Sequence, residues 1–345
     1  MELLLTPCRK VSTRNYTLDV LKAIFAMCII LVHFPFGGAI GTVFSAIGIC
    51  GVIVFFLITG YSSYDKDDKV ACKKIKKRFK RNLKVTIIIV LIYLVLGTIE
   101  RIVSGQFEEY LSDLKNPWLF PRMIALGDFE FIDGSPLWYL VALLYCYVIM
   151  YLLHKFKKIK IAYYFIPVLL LFRIGVETYV CTYNADWHIS TNVLAGGIPI
   201  VLLGSFIASH KEDFMKTPLW LTFFLFIFSL SMMFTTLFVR VFDYDVSQIF
   251  KIWSMTELFL LAIRLPGKKE VPVIGTIGRK YSLYIYLFHF IVGMIVVDLM
   301  YLFDGPEWTF DILLQILAVI FGTLVPILLC ELNNKIKRKR NYKEA

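Results

Sequence analysis

The chain has 345 residues, of which 58% are hydrophobic, and a mean hydropathy of +0.70. Soluble proteins contain about 45–50% apolar residues, so this composition excludes an ordinary soluble domain and indicates an integral membrane protein. The formal net charge of +11 is by itself compatible with nucleic-acid binding, but the positions of the basic residues argue against that partner.

Apolar segments of about 20 residues, the length that crosses a bilayer as a helix, recur along the whole chain. In order they are 18–36, 42–62, 83–103, 137–154, 161–178, 192–209, 218–240, 247–263, 281–303 and 311–331. Each is continuously apolar rather than alternating, which favours helices over barrel strands. We therefore predict an all-α fold, a polytopic membrane helix bundle of these ten transmembrane helices. It forms one domain over 18–331, between an N-terminal segment at 1–17 and a basic tail at 332–345.

The basic residues mark one side of the membrane. Most of the 37 Lys and Arg residues lie in alternate connections between the predicted spans, whereas the other connections carry mainly acids. Positive charge accumulates on cytoplasmic loops, so both termini are predicted to be cytoplasmic. The same residues are expected to contact anionic membrane lipid. We predict no nucleic-acid partner, and we expect the first span to remain as an uncleaved signal anchor.

The first span contains two ionisable residues, Lys22 and His33. They lie eleven residues apart, about 16 Å along a helix, with His33 towards the outer face. Ionisable side chains are costly in lipid and commonly mark functional sites. A neutral imidazole can take a proton from an alcohol and return it, so His33 is the best general-base candidate, unless it only bonds a neighbouring helix. Lys22 either binds an anion or reaches the headgroups and pairs with Asp19.

Two arginines, Arg78 and Arg81, lie one turn apart in the basic connection after the second span. Guanidinium groups bind phosphate in a bidentate manner, so this pair is a candidate phosphate site. The alternative is a solvated cluster of positive charge that stops translocation. The sequence leaves both interpretations open.

Three aromatic residues are candidates for a pocket near His33. Trp138 and Tyr139 open the fourth span at the level of His33, where they either wall a substrate pocket or belong to the interfacial aromatic belt. His289, in the ninth span, is the second intramembrane histidine and either joins the site or packs within the bundle. The seven cysteines show neither CxxC nor Cys/His metal spacing, so we predict no metal and no disulfide framework.

Several acids and bases remain without an assigned partner. A carboxylate that orients His33 is expected among the acids of the outer face, without a basis for choosing one. The candidates are Asp133, Glu177, Asp186 and Asp298. Arg173 and Glu257 also lie within apolar spans, and the sequence does not show which residues they contact.

Five short motifs occur in the same order as in a known family. They are Lys22-x10-His33, FFLITGY at 55–61, Arg78-x-x-Arg81, LWYL at 137–140 and YSLYIYLFH at 281–289. On these motifs the chain resembles the acyltransferase-3 family of multispanning membrane acyltransferases over nearly its whole length. It departs from the family pattern in having Lys22 where Arg is usual, no Pro after the RxxR motif, and no acid soon after His33.

The resemblance implies transfer of an acyl group, most often acetyl, from cytoplasmic acyl-CoA to a hydroxyl of an extracytoplasmic or membrane-linked carbohydrate. Lys22, Arg78 and Arg81 would then bind the CoA phosphates, and the pantetheine arm would extend towards His33. Trp138, Tyr139 and His289 would form the acceptor pocket. The implied location is the bacterial cytoplasmic (plasma) membrane, with a glycan-synthesis or periplasmic-type protein as a possible partner.

Two other functions share these features. Some relatives have been assigned roles in polysaccharide export or amino-acid uptake, and intramembrane charges suit a transport pathway as well. No paired Gly- or Pro-broken helices in matching halves, typical of inverted-repeat carriers, are evident. A catalytically inactive helper in a polysaccharide-synthesis complex is the third possibility.

Overall fold

The computed structural model describes residues 14–132, 134–239, 246–301 and 312–343, and side chains up to Ile336 in the last range. These ranges form helices and no β-strand. In chain order the helices are α1 Tyr16–His33, α2 Gly38–Ser63, α3 Asp68–Val103, α4 Phe107–Leu114, α5 Leu119–Leu126, α6 Ser135–Lys155, α7 Ile159–Tyr164, α8 Ile166–Tyr183, α9 His188–Thr191, α10 Val193–Ser209, α11 Lys211–Lys216, α12 Leu219–Phe238, α13 Ser247–Arg264, α14 Ile274–Tyr301 and α15 Leu314–Lys343.

Eight of these helices are long and apolar enough to cross a membrane: α1, α2, α3, α6, α8, α12, α14 and α15. This confirms the all-α polytopic membrane fold. The remaining two predicted spans fall on α10, which is shorter, and on α13, which carries Lys251, Glu257 and Arg264. The count of ten, the cytoplasmic termini and the domain boundaries at 17 and 331 stay predictions.

The third predicted span begins earlier than its hydropathy indicates. The basic segment that carries Arg78 and Arg81 was predicted as a connection, but it is helical and belongs to α3. The Asp67 side chain caps this helix by accepting a hydrogen bond of 2.8 Å from the Lys69 backbone N–H. No Gly or Pro follows until Gly97. Lys and Arg are good helix formers, so the charged turns continue directly into the apolar ones.

Helix α2 lies at the centre of the bundle and packs against α1, α10 and α13. Its pairing with α1 is antiparallel, since Ser45 contacts Leu31 near one end and Gly51 contacts Phe25 further along. At its crossing with α10, Gly60 faces the backbone of Val201. A side chain at Gly60 would meet that backbone, so the close approach of the two helices requires glycine there.

Replacing Gly60 with Ala is expected to lower the melting temperature of the purified protein. The added Cβ would contact the Val201 carbonyl, and overpacking of this kind costs about 1–3 kcal/mol. The matched control is Gly175→Ala on α8, where an added Cβ meets no atom within 4 Å. That variant should be neutral or slightly stabilising, because Ala favours a helix over Gly. Equal melting temperatures of both variants would contradict the proposed packing.

The antiparallel arrangement places the candidate residues at two ends of the bundle. The Arg78 end contains the start of α1, the end of α2 and the start of α3. There the Asn15 side-chain N–H donates to the Ala262 carbonyl, at 2.8 Å. The His33 end contains the end of α1 and the start of α6, where the Tyr286 hydroxyl donates to the Pro136 carbonyl, at 2.6 Å.

Candidate active site

A cavity of about 410 Å³ lies at the His33 end. Ile29 of α1 and Ile49 and Val52 of α2 form an apolar part of its wall. Polar and ionisable residues on α1, α8, α13 and α14 also line it, among them His33, Arg173, Glu177, Gln248, Lys251 and Tyr286. A cavity with a few convergent polar groups is typical of a ligand site.

His33 is the last residue of α1 and lies in the wall of this cavity. Its ring packs edge-on against Phe290, with 5.1 Å between centroids, and lies 5.3 Å from the ring of His289. Within the described residues no side chain or carbonyl hydrogen-bonds to the imidazole of His33. The half-buried ring lines the cavity and has no hydrogen-bond partner among the described residues, which leaves it available to a substrate.

None of the described outer-face acids hydrogen-bonds to His33. Glu177 lines the same cavity but pairs with Arg173, at 3.4 Å. Asp186 pairs with Arg122 and His188 in the loops, as described below, and Asp298 lines a different cavity. The fourth candidate, Asp133, lies outside the described residues. The orienting carboxylate of His33 thus stays a prediction.

The three predicted pocket residues occupy different positions. Trp138 lines the cavity, as expected. Tyr139 does not: its ring is buried between Phe56 and Tyr286, with centroids 4.7 Å and 5.1 Å away. His289 is fully buried behind His33. Its Nδ1 donates to the Tyr286 carbonyl at 2.8 Å, so its Nε2 is an acceptor, and this atom has no hydrogen-bond partner among the described residues.

Arg173 reinforces the wall where α8 meets α10. The first turn of α10 is wider than an α-helix, and Arg173 Nη1 donates to two of its carbonyls, Ala195 at 2.8 Å and Gly196 at 2.7 Å. Freed carbonyls at membrane depth need such a partner. Glu177 balances the charge of the guanidinium. The sequence did not show which residues Arg173 contacts. In the structure its guanidinium stabilises the cavity wall.

Lys251 and Gln248 are cavity residues that sequence analysis missed. Lys251 is 4% exposed, lines the cavity, and forms no ion pair or hydrogen bond through its ammonium group within the described residues. Gln248 lies one turn earlier on α13, and its side-chain oxygen is buried and has no hydrogen-bond partner in the described part of the chain. An ionisable residue within the apolar segment 247–263 was the available signal, because such residues commonly mark functional sites.

The three predicted phosphate-binding residues lie at the same end of the bundle, the Arg78 end, but differ in their contacts. Lys22 pairs with the buried Asp19, at 3.1 Å, as the alternative interpretation expects. Arg78 donates to the hydroxyls of Ser62 and Ser63 at the end of α2, at 2.5 Å and 3.1 Å. Arg81 is exposed. Within the described residues neither arginine pairs with an acid, so both guanidinium groups remain able to balance an anion.

Together these features define a multi-pass membrane protein with a histidine in the wall of a cavity at one end of its bundle. The family model of acyltransferase-3, whose description is acyltransferase domain, matches residues 15–331, nearly the whole chain. The chain belongs to this family and is a membrane acyltransferase. Neither a curated protein nor a solved structure matches it significantly.

Proposed function

We propose that this protein is a membrane O-acyltransferase of the bacterial cytoplasmic membrane. It moves an acyl group, in the simplest case acetyl, from cytoplasmic acyl-CoA to a hydroxyl of an extracytoplasmic or membrane-linked carbohydrate of the cell envelope. The observation that carries the proposal is the position of His33, in a cavity of about 410 Å³ and without a hydrogen-bond partner among the described residues. Arg78 and Arg81 at the opposite end pair with no acid among the described residues, which supports binding of an anionic donor.

In the proposed reaction His33 acts as general base. It takes the proton of the acceptor hydroxyl while the hydroxyl oxygen attacks the thioester carbonyl. The new C–O bond forms, the C–S bond breaks, and the CoA sulfur leaves with the proton returned by the imidazolium. A second route, in which a nitrogen of His33 first takes the acyl group and then passes it to the hydroxyl, gives the same products. Lys251 lies in the same wall, where its ammonium would stabilise negative charge on the carbonyl oxygen.

Donor binding is assigned to the Arg78 end. Arg81 is exposed and without an acidic partner among the described residues, so it is the residue best placed to bind a CoA phosphate. Arg78 would contribute from its position beside Ser62, and Lys22 from its position beside Asp19. The pantetheine arm would extend from this end towards His33.

The proposal is tested with membrane vesicles that contain the protein, given acetyl-CoA labelled in the acetyl group. The expected result is label in the envelope glycan, with one CoA thiol released for each acetyl group transferred. Vesicles from cells without the protein provide the control. Movement of glycan across the membrane with no incorporation of label would contradict the proposal and favour a transporter. Absence of both would favour an inactive helper that acts with another glycan-synthesis protein.

A further inference from the structure

The connections between the spanning helices at the His33 end, which include the short helices α5 and α9, contain a cluster of charged residues outside the proposed active site. We call it the loop cluster: Arg122, Asp128, Glu130, Asp186 and His188. His188 Nε2 lies 3.4 Å from Asp128 Oδ1 and 3.8 Å from Glu130 Oε1. One atom from each of these three residues lies within 4.8 Å of the others. Asp128 and Glu130 also line a pocket of about 460 Å³.

His188 is 1% exposed, and its two ring nitrogens have different surroundings. Nδ1 lies 2.8 Å from Asp186 Oδ1, so it carries the proton and donates to that carboxylate. Nε2 is buried and has no hydrogen-bond partner within the described residues. In the neutral ring the lone pair of this nitrogen faces two carboxylate oxygens, Asp128 Oδ1 and Glu130 Oε1. Metal-binding histidines usually have this arrangement, with a carboxylate on the nitrogen that does not bind the metal.

The charges of the loop cluster favour a divalent cation. Arg122 donates hydrogen bonds to Oδ2 of Asp128, at 2.7 Å, and to Oδ2 of Asp186, at 2.8 Å. The Oδ1 atoms of both carboxylates lie next to the His188 ring. Three carboxylates against one guanidinium leave two negative charges.

We propose that Asp128, Glu130 and His188 bind a divalent transition-metal ion, with Zn²⁺ as the reference ion. Ligand atoms about 2.0–2.2 Å from a tetrahedral Zn²⁺ are about 3.3–3.6 Å from one another, close to the separations of His188 Nε2 from the two acids. A histidine nitrogen favours a transition metal over Ca²⁺ or Mg²⁺, which prefer oxygen ligands. The pocket beside Asp128 and Glu130 gives the ion access and room for a water ligand.

The metal would join two loops that also form the cavity wall around His33. Asp128 and Glu130 precede Ser135 and Trp138 along the chain, and His188 follows Trp187; all three of these neighbours line the cavity. Trp187 also donates to Glu130, at 3.2 Å. The ion therefore has a structural role in holding this wall, and its binding does not depend on the proposed acyl transfer.

The proposal is tested by metal binding to the full-length protein, purified in detergent with a tag free of histidine and stripped with EDTA. Equilibrium dialysis against Zn²⁺, and against Co²⁺ as a spectroscopic probe, should show a single tight site per chain. Zn²⁺ should also raise the melting temperature. Asp186→Asn should weaken binding about 10–100-fold, and Glu130→Gln should weaken it at least as much, because it removes a ligand.

Glu130 is the safest ligand to change, since its side chain is 60% exposed and its loss leaves no cavity. Glu130→Gln should melt like the wild type in EDTA and lose the increase that Zn²⁺ produces. The matched control is Glu109→Gln, an exposed acid of the same pocket that is not a ligand, which should keep wild-type binding. Zn²⁺ binding that is absent from the wild type, or unchanged in Glu130→Gln and Asp128→Asn, would overturn the proposal.

Discussion

Replacing His33 with Ala is expected to abolish acyl transfer while leaving the protein inserted in the membrane. The imidazole lines the cavity without a described hydrogen-bond partner, so its removal takes away the group that accepts the acceptor proton. General base catalysis contributes about 10²–10⁴-fold, and loss of an acyl-carrying nitrogen would cost at least as much. The measurement is incorporation of labelled acetyl into glycan per amount of inserted protein.

The matched control for His33 is His210→Ala, a histidine at the Arg78 end that bonds Ser209 and the Phe206 carbonyl. It should retain activity close to that of the wild type. Retention of most acyl transfer by His33→Ala, at equal membrane content, would refute the assignment of His33. The two routes are then separated by rapid quenching of the wild type with donor alone, because only the covalent route gives acyl-labelled protein.

The sequence was sufficient to predict the helical bundle and to select His33 as a candidate site residue, because both inferences depend on local information. A run of about 20 apolar residues must form a helix in lipid, whatever surrounds it. His33 interrupts such a run. Placing an ionisable side chain in lipid is unfavourable in free energy, and this can be recognised from the apolar run alone, before the tertiary fold is known. The start of α3 was placed too late because the apolar run begins only at the end of the basic segment, near Lys84, although nothing in that segment breaks a helix.

The rest of the candidate site depends on how the helices are rotated against one another. Tyr139 was predicted to wall the pocket beside Trp138, but neighbouring residues of a helix point in directions about 100° apart. Only Trp138 faces the cavity. The role of Lys251 depends on the same rotation. A single lysine in an apolar segment can either face the interior of the bundle or extend along the lipid to the headgroups, and the sequence does not distinguish the two.

The loop cluster shows a different limit of the sequence. The prediction of no metal used ligand spacing, which detects sites built within one short segment. Here Asp128 and Glu130 belong to one loop, and His188 comes from another about sixty residues later. Only the packing of the two segments brings Nε2 of His188 to the acids, so no spacing pattern could indicate the proposed site.

Replacing Lys251 is expected to reduce acyl transfer strongly, as replacing His33 is. Lys251 lines the cavity, and within the described residues its ammonium has no acidic partner. Lys251→Met is therefore expected to reduce kcat about 10²–10³-fold. This is the usual effect of removing a group that stabilises negative charge on a reacting oxygen. Lys251→Arg should keep part of the activity, because it keeps the charge. The measurement is kcat and KM for acetyl-CoA with reconstituted protein.

The same substitution separates catalysis from packing. Lys251 is 4% exposed, and an unpaired charge in such a place destabilises the fold, so Lys251→Met should melt at the same temperature as the wild type or higher. Lower activity together with equal or greater stability is the result expected of a functional lysine. Lys216→Met, which removes an exposed lysine paired with Asp213, is the control and should change neither quantity. Unaltered kcat in Lys251→Met would show that the lysine has no part in the transfer, whatever its effect on stability.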